Sequence, residues 1–117
     1  MAKEYFSGYS NDALGAAVKS LCSDVVFNAT TLKKTFWCKY IQVTNEHATD
    51  TTLIDIYDME EAAVDLSRQR GSIQVGPVDT VIVEYPAPGL KIEIELGATA
   101  TNGTVNAYNV ICGGYLI

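Results

Sequence analysis

The chain's only histidine, His47, lies in the stretch QVTNEHATDTTL (42–53), beside Glu46 and Asp50. That grouping invites two chemistries. A histidine oriented by a carboxylate can serve as general base for a serine or cysteine nucleophile, and imidazole with carboxylate oxygens can hold a metal ion. Neither is completed elsewhere in the chain. There is no G-x-S-x-G elbow, and Cys22, Cys38 and Cys112 stand in apolar contexts that favour inert thiols. Zinc wants several converging His or Cys ligands, and no C-x-x-C spacing occurs. Calcium is the better metal candidate, with oxygens available in TNEHATD and YDMEE, but neither stretch has the spacing of a D-x-D-x-D-G loop. Glu93 and Glu95 alternate along an apolar strand pattern and read as a wetted face rather than a glycosidase pair. ICGGYLI has the glycines of a phosphate cradle but no following lysine. The expectation is a chain that is not an enzyme and takes no cofactor or metal. His47 then belongs to a solvent-facing hairpin loop that acts, if at all, by touching a partner.

The totals agree with that reading. A chain of 117 residues is one domain's worth, long enough to bury a core without staples. Hydrophobic residues make up 48% and charged residues 19%, which suits a folded globule. The net charge of −6 is wrong for a protein that must approach phosphates, so no nucleic-acid partner is expected. Three cysteines cannot all pair; three reduced thiols are expected, with one disulfide the alternative. No stretch approaches 18 apolar residues, and MAKEYFSGYSND lacks a signal-peptide core, so neither membrane insertion nor secretion is expected. The sequons at Asn28 and Asn102 then have no use.

The elements that must position these residues are mostly strands. GLKIEIELG alternates Leu90, Ile92, Ile94 and Leu96 against Lys91, Glu93 and Glu95, the period of a half-buried strand. FWCKYIQVT (36–44) and TTLIDIYD (51–58) are predicted to pair as a hairpin around residues 45–50. SIQV (72–75) and DTVIVEY (79–85) flank the breaker Gly76-Pro77, and YPAPG should be a connection. Asn102-Gly103 signals a type I′ hairpin before a last strand in TVNAYNVICGGYLI, where Gly113-Gly114 marks a kink or a close backbone approach. Two segments are ambiguous. Leu14, Val18, Leu21 and Cys22 fit a short helix, although VKSLCSDVVFN could be a first strand. DMEEAAVDLSRQRG fits a short helix capped by Asp58, with an extended loop or strand as the rival. Seven to eight short strands with at most one or two short helices make a mainly β, antiparallel β-sandwich of jelly-roll-like type.

Trp37, Tyr40, Tyr57, Tyr85, Tyr108 and Tyr115 all fall on or beside predicted strands, where such rings fill cores or interfaces. Tyr5, Phe6 and Tyr9 instead precede the first periodic segment. They suggest an N-terminal arm over residues 1–12, ahead of a single domain at 13–117, whose rings anchor on a neighbouring subunit. A frayed tail or a first edge strand is the alternative. Tyr5, Phe6, Tyr9 and His47 are the candidate partner-binding residues.

The runs KYIQVTNEHATDTTLIDIYD, GSIQVGPVDTVIVEYPAP and GTVNAYNVICGGYLI together resemble the small β-sandwich decoration, or cement, proteins of tailed-bacteriophage capsids. The resemblance covers roughly residues 36–117 and rests on strand rhythm, size and missing catalytic motifs. It implies a virion structural protein, made in the host cytoplasm and bound to the capsid surface. Its partners would be the major capsid protein or other virion subunits, and it would act as a homo-oligomer, a trimer being favoured. The alternative is a carbohydrate-binding or adhesion sandwich, such as a tail or head-fibre module.

Overall fold

The computed structural model describes residues 4–10, 17–21, 34–100 and 108–117. These form a β-sandwich of two antiparallel sheets. Strands β1 (Glu4–Ser10), β9 (Tyr108–Leu116), β3 (Phe36–Asn45) and β6 (Asp79–Glu84) make the first sheet in that order, and β7 (Leu90–Ile92) also pairs with β3. The second sheet runs β2 (Lys19–Ser20), β8 (Leu96–Ala100), β4 (Thr52–Asp58) and β5 (Gln69–Val75).

Each sheet turns one row of apolar side chains to the other. Phe36, Cys38, Ile41 and Val43 of β3 and Val110, Cys112 and Leu116 of β9 meet Ile54 and Ile56 of β4, Ile73 and Val75 of β5, and Leu96 of β8. Complete burial of an Ile, Leu or Phe side chain stabilises by roughly 1.5–3 kcal/mol. This layer is therefore what holds the sheets together. Of the expected aromatic set, Tyr108 and Tyr57 enter the core clusters, and Tyr115 is buried outside them. A smaller cluster of Val18, Tyr57 and Met59 forms beside the main core.

Several expected connections differ. The 36–44 and 51–58 strands are not a hairpin, because β3 and β4 belong to opposite sheets and residues 46–51 cross between them. GLKIEIELG is two strands rather than one. Its alternation stops at Ile92, and residues 93–95 carry the chain to the other sheet before β8 begins. The reason is Asp58, whose buried carboxylate accepts the backbone N–H groups of Glu93, Ile94 and Glu95 at 3.0, 2.8 and 3.2 Å. Three consecutive donors aimed at one side chain cannot also serve a straight ladder.

That same engagement removes Asp58 as a helix cap. No α-helix forms over 58–71; only the 3₁₀ turn Leu66–Arg68 appears, capped by Asp65 through Ser67. YPAPG is an excursion within one edge. β6 and β7 pair with successive stretches of β3, Tyr40–Asn45 and then Phe36–Cys38, and residues 85–89 bulge out between them. β3 bulges at the same point, its register with β9 shifting between Cys38 and Tyr40. Gly114 sits against this bulge, where a Cβ would run into the Trp37 carbonyl, so the close approach expected of the double glycine is present.

Val18–Leu21 is extended or turning rather than helical, with Val18 and Leu21 buried. Leu14, Cys22, the sequons and the Asn102-Gly103 turn lie outside the described residues. The strands on either side of that turn, β8 and β9, lie in different sheets.

Candidate interaction face

The His47 loop is organised from below by Asn45. This side chain is fully buried, and its Nδ2 lies 2.8 Å from the Asp50 carbonyl, 3.2 Å from that of Val75 and 3.1 Å from that of Gly76. Its Oδ1 accepts the His47 N–H at 3.0 Å. One amide thus ties the β3–β4 crossing to the β5–β6 turn, as burial of polar atoms demands. His47 Nδ1 then accepts the N–H groups of Thr49 and Asp50 at 3.2 and 3.0 Å. The imidazole is spent on folding its own loop, and its Nε2 stands 3.6 Å from Asp50 Oδ2. Glu46 accepts from Asn109 at 2.8 Å. The three residues that could have formed a site are each a structural fastening. Among the described residues no three His, Cys, Asp or Glu side chains converge as a metal cluster.

The two cysteines among the described residues are equally enclosed. Cys38 and Cys112 are free thiols with no exposed surface. Burial, reinforced by neighbouring Cys112, pushes the Cys38 thiol up to about 12, although its Sγ reaches the Tyr40 carbonyl at 3.3 Å. A thiol held protonated in this way is a poor nucleophile.

What faces outward on the first sheet is more distinctive. Strand register sets Tyr5, Tyr115, Trp37 and Lys91 in one row across β1, β9, β3 and β7. The Tyr5 and Tyr115 rings meet edge-on with centroids 6.4 Å apart, and Lys91 Nζ lies 6.0 Å from the Trp37 ring. Edge-to-face rings and a cation over indole are both favourable geometries. The Tyr115 hydroxyl donates to the Pro88 carbonyl at 3.0 Å, so the 85–89 excursion helps cover that ring. Tyr5 at the row's end is 83% exposed, an unusual position for a ring whose neighbours are packed.

The next row along the sheet carries Glu84, Tyr40 and Gly113, and the Tyr40 ring lies across the bare Cα of Gly113. Ile82, Gln42 and Ile111 follow, then Thr80, Thr44 and Asn109, with the two threonine hydroxyls 2.9 Å apart. Lys39, Tyr40, Gln42, Ile82, Glu84 and Tyr85 surround an open concavity of about 620 Å³ at the edge of this face. Burial pushes the Tyr85 hydroxyl up to about 12, with Cys38 adding to the effect, so it stays a neutral donor.

The expected partner-binding residues are not brought together. Tyr5 ends the aromatic row, while His47 lies just past Asn45, the far end of β3, which is eight residues and so about 25 Å from Trp37. Phe6 and Tyr9 stand opposite Gly114 and Ile111 in the β1–β9 register. Residues 4–10 thus form an edge strand of the first sheet. Trp37, Tyr40, Lys91, Ile82 and Ile111 were missing from that set. Alternation could have found Tyr40 and Gln42, but the bulge after Cys38 puts Trp37 and Tyr40 on one face at an odd spacing.

No helix among the described residues is long and apolar enough to cross a membrane. No family model matches the chain, and no curated protein is significantly similar to it.

Proposed function

We propose that this chain is a non-enzymatic virion structural protein, a decoration protein that binds the assembled capsid shell of a tailed bacteriophage as a homo-oligomer. The resemblance over residues 36–117 motivates the reading. The observation that carries it is the aromatic row Tyr5–Tyr115–Trp37–Lys91 across one face of the first sheet. Large rings with polar tips, held by packing, provide the anchors that protein interfaces favour, and little conformational entropy is lost when they dock. Gln42, Thr44 and Asn109 extend the face with neutral hydrogen-bonding groups suited to an interface rim.

The experiment is co-sedimentation of the purified protein with assembled shells and, separately, with unassembled capsid subunits. Saturable binding to shells alone is expected, weakened roughly tenfold or more by Trp37→Ala, as for a central anchor. A protein that ignores assembled particles refutes the reading.

The concavity beside Tyr40 favours a second reading, a carbohydrate-binding or adhesion module. A ring against which a sugar's C–H face can stack is bordered there by Gln42, Glu84 and Lys39, which can bond hydroxyls. A glycan array with and without chelator decides this; silence across it removes the module.

A further inference from the structure

The sandwich core is not equally closed on all sides. The apolar residues packed against it but only partly covered are Val81, Val83, Tyr85 and Leu90, and all four lie on the β6–β7 edge. β6 pairs with β3 on one side and with no strand among the described residues on the other. On its outer face Ile82 is 56% exposed. The strand DTVIVE therefore presents apolar side chains on both faces along an open row of backbone donors and acceptors. No lysine, proline or inward charge blunts it between Thr80 and Val83, which is how monomeric proteins protect such an edge.

Val78, in the turn just before this strand, adds an independent anomaly. It has φ +51°, in the left-handed region that β-branched residues avoid, and it is 73% exposed. Glycine or asparagine would take that conformation with less strain, and neither would leave an isopropyl group in water. A strained, exposed valine makes sense where its side chain has something to cover.

We infer that β6 is a self-pairing edge, adding antiparallel to β6 of a second copy across a two-fold axis at Ile82. Antiparallel partners must share a face, which restricts the register to few choices. Centring on Ile82 sets Val81 opposite Val83 of the second copy, so each pair closes the core edge of both sandwiches. It sets Thr80 opposite Glu84, a hydroxyl against a carboxylate, and brings Val78 alongside Pro86. Shifting the centre to Val81 would oppose Val83 with Asp79, and shifting it to Val83 would oppose Ile82 with Glu84. Of the three, only the Ile82 register sets none of Val81, Ile82 and Val83 against a charged residue. Such a contact is isologous and closes at two copies. It is therefore distinct from a three-fold arrangement on a shell. It does not rest on the capsid reading, because it is measured on the purified chain alone.

The test is sedimentation equilibrium combined with site-directed crosslinking. The unmodified chain should show a reversible dimer at twice the monomer mass. Ile82→Lys places two ammonium groups on the axis and should weaken the dimer roughly tenfold or more, like charges directly opposed being unfavourable. In a Cys22→Ser background, Ile82→Cys should form a disulfide-linked dimer on mild oxidation, because opposed Cβ atoms stand about 5 Å apart. Glu84→Cys, opposite Thr80, should not. Val78→Asn provides a variant whose folding is not in question: its Tm should rise while its dimer weakens. A monomer at all accessible concentrations overturns the inference. So does an oligomer indifferent to Ile82→Lys, or one that crosslinks equally through position 84.

Discussion

Asp58→Ala is the sharpest test of how the two sheets are joined. The Asp58 side chain is 2% exposed, so water cannot replace it once removed. It accepts from Ile94 and Glu95 through Oδ1 and from Glu93 through Oδ2. Hydrogen bonds to an ionised acceptor contribute about 1.5–3 kcal/mol each, and a buried donor left unsatisfied costs about 1–3 kcal/mol. Glu93 is exposed, and its N–H can turn to solvent; Ile94 and Glu95 are half-buried. Counting mainly those two donors gives a loss of about 3–4 kcal/mol, a large share of the ~5–15 kcal/mol that holds a domain together. At about 4 °C per kcal/mol, the midpoint should fall by about 12–16 °C. Asp58→Asn keeps one acceptor oxygen but sets an NH₂ against the Glu93 N–H, so it should lose about half as much. Urea and thermal unfolding followed by circular dichroism measure both. A loss below about 1 kcal/mol for alanine, or asparagine no better than alanine, refutes the assignment of this corner to acceptor count.

Three further outcomes follow from the same geometry. Gly114→Ala forces a Cβ into the Trp37 carbonyl. It should therefore cost about 3 kcal/mol or more, at the upper end of single-substitution effects, read as a lower urea midpoint. Cys38 and Cys112 should resist Ellman's reagent in the native protein near neutral pH and react fully in concentrated guanidinium chloride; rapid native labelling at either position would contradict their burial. The Glu95 carboxyl is held above its usual range by burial and by the nearby Glu60 and Glu61 carboxylates, against a hydrogen bond from Ser20. A folded state that binds this proton more tightly than the unfolded chain loses stability as pH rises from the unfolded value through the folded one. Glu95→Gln should therefore be more stable than the parent at neutral pH, and the advantage should vanish in acid below the ordinary glutamate range. A difference between the two midpoints that stays constant across that range would show that no such coupling exists.

Much of the framework was legible in the chain. The strands at 36–45, 52–58, 79–84 and 108–116 follow from β-branched and aromatic runs separated by polar or glycine-rich breaks, and alternation along them separates core from surface. Pairing was not legible in the same way. The two strands around His47 are close in sequence and good hairpin partners by pattern, yet they lie in opposite sheets, because Asn45 holds the crossing to the β5–β6 turn. Nothing local distinguishes a tight hairpin from a crossing of the same length. The helix expected at 58–71 failed for a related reason: Asp58 was a competent cap, but three N–H groups 35 or more residues away claimed its carboxylate.

The candidate site divides along the same line. That His47 is the chain's one histidine, with no G-x-S-x-G elbow and no C-x-x-C pair to accompany it, was a matter of residue types and spacing, readable before any fold was known. That His47 fastens its own loop depended on which atoms the fold brought within hydrogen-bonding distance. The unbroken run Val81-Ile82-Val83 in DTVIVE determined that the strand would carry apolar residues on both faces. Only the sheet order, which leaves β6 outermost with Val81 and Val83 half-covered, made it an edge with something left to bury. Local pattern sets what a strand can hide, because its period is a property of the backbone. Position in the sheet sets what remains exposed, because that depends on long-range contacts no short stretch encodes.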